Sequence, residues 1–213
     1  EEKIRSAIAE SAPEPLFTEA FAQMPDSQVR SAFAERRSYL LEGQKVSESI
    51  HYGYDLASLA GAPIPASNSG RVVFADELGI YGNCVILDHG LGLHSLYGHL
   101  SNIDVKTGDT VEKGQTLGQS GQTGLAGGDH LHFAILLRGV YVDPVEWWDP
   151  KWVREHALGL LAAARKERAA AIRGAHCWRG IAPSDATCPG DARAIPTRSG
   201  CPRRCSSRRA SKR

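Results

Sequence analysis

The chain has 213 residues, 42% of them hydrophobic, and a formal net charge of +1. That length can bury one core, and the balanced charge argues against nucleic acid or other polyanions as partners of the whole molecule. No stretch approaches the 18 or so apolar residues of a membrane-spanning helix and no signal peptide is visible, although a first residue other than Met reads as a processed or trimmed chain.

In chain order, residues 1–32 are a mixed, mostly polar lead-in, where Glu1–Glu10 and Gln28–Ala34 have the spacing of short helical turns. From about Ser47 to Asp143 glycine becomes frequent. Apolar, β-branched and aromatic runs alternate there with turn residues, as in Arg71–Ala75, Cys84–Leu87, Leu93–Tyr97 and His130–Leu137. Thr107-Gly108-Asp109 and Glu112-Lys113-Gly114 read as turns around a short strand. The pattern predicts a mainly β fold, an antiparallel sandwich or barrel-like core over residues 33–148. Cys84, alone in an apolar strand, reads as a small core residue.

Asp149 followed by Pro150 is a helix start, an N-cap and then proline at the first helical position. Trp152, Val153, His156, Leu160 and Leu161 recur at helical spacing, which predicts a helix over 149–173 packed on the sheet through Trp147, Trp148 and Trp152. Residues 174–213 lack periodicity. They carry eight Arg and one Lys against two Asp, with Cys177, Cys188, Cys201 and Cys205, and read as a disordered basic tail. The spacing of His176-Cys177 and of the CxxxC at 201–205 matches no zinc module.

The chemistry concentrates in HYGYD (51–55), YGHL (97–100) and GGDHLHF (127–133). On a strand, side chains two apart share a face, so His130 and His132 are expected to project together, away from Leu131, Phe133 and Ile135. His51 and Asp55, four apart, share a face of either a helix or a strand; Gly53, Tyr52 and Tyr54 favour the strand. His99 follows a glycine at the end of a strand. His89, His94 and His156 read as structural. A hydrolytic zinc site takes three protein ligands from His, Asp or Glu and leaves a position for water, and this set supplies three ligands with two imidazoles to spare.

These elements resemble the M23 (lysostaphin-like, LytM-type) zinc metallopeptidases, whose pattern runs from HxGxDLA through a DHG turn and Y.HLS to G.HLHF. This chain reads HYGYDLA (51–57), VVFADELGIYGNCVILDHGLG (72–92), LYGHLS (96–101), VKTGDTVEKGQTLGQSGQTG (105–124) and GGDHLHF (127–133). The resemblance implies one zinc ion per chain, with His51, Asp55 and His132 as ligands and His99 and His130 as catalytic imidazoles. It also implies peptidoglycan stem peptides or cross-bridges as substrate, a place in the periplasm or cell envelope, and a membrane tether in a missing N-terminal part. D-Ala to diaminopimelate bridges are favoured over glycine bridges. Asp88 and Asp129 are candidate partners of the metal-bound imidazoles, Tyr52, Tyr54 and Tyr97 candidates for the groove wall, and the glycine-rich Ser120–Gly128 loop a close approach for a peptide backbone.

Two positions depart from the pattern. Phe33-Ala34-Glu35-Arg36 stands where the family often has Phe-Gly-x-Arg, and Ala134 follows HLHF where a glutamate is common. Some members of the family have lost ligands and act as silent domains that bind or activate other cell-wall hydrolases; the full set here favours an enzyme. Residues 105–121 also resemble the hairpin of lipoyl and biotinyl carriers. No exposed acceptor lysine is evident, however, and a carrier has no use for an HLH strand.

Overall fold

The computed structural model describes residues 2–178, with side chains to 173. The chain divides into two compact units, Glu1–Glu167 and Arg168–Arg213. In the second, the described residues only continue a helix that begins in the first, and the rest of the expected tail lies outside the described residues.

Thirteen strands are present among the described residues: β1 Gln28–Ser31, β2 Arg36–Leu41, β3 Gln44–Ile50, β4 Tyr54–Ala57, β5 Pro63–Pro65, β6 Gly70–Glu77, β7 Asn83–Asp88, β8 Leu93–Leu100, β9 Asn102–Ile103, β10 Thr110–Val111, β11 Thr116–Gln119, β12 Leu131–Leu137 and β13 Val140–Val142. Eight of them form one antiparallel sheet in the order β1-β4-β12-β8-β7-β6-β10, with β13 paired to β12. A three-stranded sheet, β5-β11-β9, and a hairpin, β2-β3, complete the β structure. The fold is therefore mainly β and antiparallel, with helix at the C-terminal end.

Strand β12 explains the layering. Leu131, Phe133 and Ile135 enter one core, while Ala134 and Leu136 enter a second on the opposite face. A strand covered on both faces is apolar throughout instead of alternating. The first core is closed by Ile64 of β5, Leu117 of β11, Trp147, and Phe17, Phe21 and Met24 of the lead-in. The second is closed by Ile4 of helix α1, Glu2–Ala7, together with Leu78 and Tyr81.

The lead-in is fastened as well as packed. Asp88 accepts hydrogen bonds from the Ser11 hydroxyl at 2.6 Å and the Ala12 amide at 2.8 Å, and the Leu16 amide donates to the His89 carbonyl. The chain passes so close that a Cβ on Gly90 would stand 2.0 Å from the Glu14 carbonyl oxygen. Residues 28–31, expected as a helical turn, are instead strand β1. The open edge of β4 offers these backbone groups a ladder, and pairing there outweighs a weak local preference.

After β13, Asp143 caps α2, Pro144–Trp148, and Asp149 caps α3, Pro150–Trp152, each carboxylate accepting an amide two residues on. A wide helical turn, Val153–Leu158, leads into α4, Gly159–Trp178, which passes the expected end at residue 173. His156 stacks on Trp152 with ring centroids 5.1 Å apart.

His89 and His94 are structural. Both are buried, and His89 is held by the Ser69 carbonyl and the Ser95 hydroxyl, each at 2.7 Å. Burial pushes its imidazole down to about 4, against the pull of the Ser69 carbonyl. Tyr97 is not a groove residue; it lies in the core, its hydroxyl accepting the Ser67 amide at 2.8 Å. Tyr54 is likewise buried, edge-on to Trp148. Cys84 is fully buried, and burial raises its thiol.

Candidate metal centre

The register of the sheet sets two of the expected residues side by side. His132 on β12 pairs with Asp55 on the neighbouring β4, while its other neighbour is Gly98 on β8. His51 is not on a strand. It sits in the turn between β3 and β4, where its amide donates to the Glu35 carbonyl and its own carbonyl accepts the Ala34 amide. Gly53 is the residue that lets this turn fold inward, because a Cβ there would lie 2.5 Å from the Phe133 carbonyl oxygen.

Three donor atoms converge as a result. His51 Nε2 and His132 Nδ1 each lie 3.0 Å from Asp55 Oδ1 and 3.1 Å from one another. They are the one group of His, Cys, Asp or Glu among the described residues that is arranged to hold a metal. His51 Nδ1 donates its proton to the Ala32 carbonyl at 2.9 Å. A neutral His51 then has no hydrogen on Nε2, so its lone pair faces a carboxylate oxygen at close range. A cation between them removes that conflict, and two imidazoles with one carboxylate form a donor set suited to zinc. His132 Nε2 is buried without a hydrogen-bond partner.

His99 and His130 border this cluster. By strict alternation His99 would share a face with the core residue Tyr97. The register between β7 and β8 slips at this point, and His99 adopts a left-handed φ of 66°. This β-bulge turns the ring to the His132 face, with centroids 5.9 Å apart. His130 lies just before β12, bridged to Gly121, and its Nε2 stands 3.6 Å from Asp55 Oδ1. Both rings are fixed by the glycine-rich loop: His99 Nδ1 donates to the Thr123 carbonyl and His130 Nδ1 to the Gly128 carbonyl, each at 2.8 Å. Each keeps Nε2 for the site. Their ring centroids are 4.8 Å apart.

The electrostatics separate the groups. Burial alone would raise the Asp55 carboxyl, but the surrounding imidazoles of His130, His132 and His51 hold it well below the usual carboxylate range. Burial brings His99 down to about 4, against the Thr123 carbonyl. The Asp55 carboxylate raises His130 in spite of its burial, whereas burial lowers His132 despite Asp55.

The cluster opens into a groove of about 900 Å³, walled by the β2-β3 hairpin through Tyr39 and Ile50, by Tyr52, and by Ile80 and Leu125 opposite. Asp88 and Asp129 do not touch the candidate ligands. Asp88 holds the lead-in, and Asp129 accepts from the Ser120 hydroxyl and the Gly61 amide. Two residues that the sequence did not single out do touch them. Arg37 bonds Asp55 Oδ2 at 2.5 Å, and the Ser31 hydroxyl lies 3.1 Å from His51 Nδ1. The Phe-Ala-Glu-Arg segment was a signal for such a contact, displaced by one residue from Arg36.

Residues 49–144 match the model of Peptidase family M23. The chain is 42% identical over 119 residues to the peptidoglycan DD-endopeptidase ShyA of Vibrio cholerae, covering 55% of this chain and 28% of that protein. It is 36% identical over 123 residues to the DD-carboxypeptidase/endopeptidase Mpg of Neisseria meningitidis, covering 58% and 28%. The crystal structure of a zinc containing peptidase from Vibrio cholerae superposes with a TM-score of 0.52 at 32% identity, over 62% of this chain and 40% of that one. The chain thus spans just over a quarter of the length of these curated relatives. The matched model, the shared fold and the sequence identity together place this chain in peptidase family M23.

Proposed function

We propose that this chain carries the catalytic domain of a zinc-dependent endopeptidase that hydrolyses the peptide cross-links of peptidoglycan. The observation that carries the reading is the meeting of His51 Nε2, Asp55 Oδ1 and His132 Nδ1 within 4.8 Å of one another beside two further imidazoles. His51, Asp55 and His132 would hold the ion; zinc bound there supplies Lewis acidity toward the scissile carbonyl and lowers the pKa of a water molecule.

The chain's own residues provide the rest. The groove between the hairpin and Ile80 and Leu125 takes an extended peptide and brings its carbonyl over the cluster. His99 and His130 each present Nε2 there, one to accept the proton of the attacking water, the other to donate to the oxyanion. With Nδ1 of both rings committed to backbone carbonyls, neither has to reorient during the reaction. The two DD-endopeptidase relatives support peptidoglycan as the substrate and the cell envelope as the site of action, with D-Ala to diaminopimelate bridges favoured. A silent binding domain has no need of five intact chemical positions.

The test is digestion of purified cross-linked peptidoglycan with and without a zinc chelator, read by mass spectrometry. New uncross-linked peptides that disappear with chelator and return with zinc are expected. A folded, zinc-loaded chain that releases none would favour the silent domain.

A further inference from the structure

Asp55 has two carboxylate oxygens, and they face different partners. Oδ1 points into the cluster, 3.0 Å from both His51 Nε2 and His132 Nδ1. Oδ2 is taken by Arg37, whose Nη2 lies 2.5 Å from it and 2.7 Å from the Ser31 hydroxyl. Ser31 in turn donates to Glu35 and lies 3.1 Å from His51 Nδ1. The network therefore touches two of the three candidate ligands, and Arg37 itself borders the groove.

We infer that Arg37 is a positioning residue for the metal centre: it occupies Asp55 Oδ2, so that the carboxylate offers the ion a single oxygen. The inference rests on the metal-centre reading above. Its physical basis is geometric. A carboxylate free at both oxygens can rotate about its Cβ–Cγ bond and engage a cation with both, filling the position that a water molecule needs. A guanidinium is planar and presents its N–H groups in fixed directions, and here Nη2 bridges Asp55 to Ser31 and restrains this rotation.

Local architecture places Arg37 there by construction. β1 slips its register between Val29 and Ser31, which sets Ser31 opposite Asp55. Ala34, with a left-handed φ of 64°, then turns the chain into β2, where Arg37 pairs with Ser49 on β3. The same hairpin supplies Tyr39 and Ile50 to the groove wall, so the wall and the ligand carboxylate are joined through one side chain.

A purely electrostatic role makes the opposite prediction. Arg37 is a cation beside a cation site, so on charge alone its removal should tighten metal binding. Loss of an outer partner that orients a ligand typically weakens affinity 10- to 100-fold. The direction of the change therefore distinguishes the two.

The experiment compares the wild-type chain with Arg37→Ala and Arg37→Lys, stripped of metal and matched for melting behaviour. Zinc affinity is measured by competition with a chromophoric chelator, and the visible absorption is recorded after loading with Co(II). Arg37→Ala should bind zinc about 10- to 100-fold more weakly, with a cobalt spectrum of reduced intensity, the signature of a higher coordination number. Arg37→Lys should recover part of the affinity, since it keeps the charge but not the planar group. Unchanged or tighter zinc binding with an unaltered cobalt spectrum in Arg37→Ala would overturn the inference. If the wild-type chain takes up no zinc, the metal-centre reading itself fails, and this inference with it.

Discussion

Gly53 and His132 are in direct apposition: a Cβ built on the glycine would stand 2.8 Å from the imidazole Cε1 and 2.9 Å from Nε2. The contact gives the glycine of the HxGxD segment a spatial role, because any side chain there would push a candidate ligand out of line. Gly53→Ala is expected to cost about 1–3 kcal/mol of stability through overpacking and to weaken zinc binding. Chemical denaturation of the metal-free chain, alongside zinc titration, separates the two effects. A variant as stable and as zinc-avid as the wild type would mean that the turn relaxes freely.

His132 and His130 occupy neighbouring positions with different expected roles. His132→Ala removes one of three donors and should abolish zinc retention and cleavage together, as read by metal analysis and peptidoglycan digestion. His130→Ala leaves the three donors intact and should keep zinc while lowering turnover about 10²- to 10⁴-fold. Full turnover in His130→Ala would remove that residue from the mechanism.

Thr123 holds the glycine-rich loop through its side chain and His99 through its carbonyl. Its hydroxyl accepts the Asn83 amide at 2.9 Å and donates to the Leu100 carbonyl at 2.8 Å. Thr123→Ala deletes both bonds and should lower stability by about 1–3 kcal/mol. Its turnover should fall with zinc content unchanged, because the shifted carbonyl no longer fixes the His99 ring. Steady-state kinetics paired with metal analysis checks this.

Acid should unfold the metal-free chain earlier than its carboxylates alone would require. The buried His89 has a folded-state value of about 4, against 6.5 for the free imidazole. Between these values the unfolded chain binds the extra proton, so stability rises with pH across this window and is lost as pH falls through it. The loss approaches roughly 3 kcal/mol once pH is below the folded value. Urea denaturation at pH 7, 6, 5 and 4, with chelator present, should show the decline, and His89→Gln should flatten it.

The sequence announces this fold and site where spacing in the chain corresponds to proximity in space. His130, just before β12, and His132 on it are neighbours in the chain, and Asp149-Pro150 caps a helix as read, because each feature is local. The hairpin at 36–50 was not legible: its residues are mostly exposed, so no alternation marks it. His99 reaches the site through a bulge, a backbone event that leaves no trace in composition. Arg37 and Asp55 are 18 residues apart in sequence, and the pairing of β1 with β4, followed by the turn at Ala34, makes them neighbours.

The lead-in before β1 sets the boundary of the folding unit. Residues 49–144 define the family by sequence, yet Phe17, Phe21 and Met24 fill the main core and Asp88 is closed off by Ser11 and Ala12. Excising the matched region alone would strip Phe17, Phe21, Met24 and Trp147 from the main core and leave the buried Asp88 carboxylate without two of its donors. Resemblance and packing thus have different borders in this chain: the segment that matches the family is shorter than the segment that shares one core.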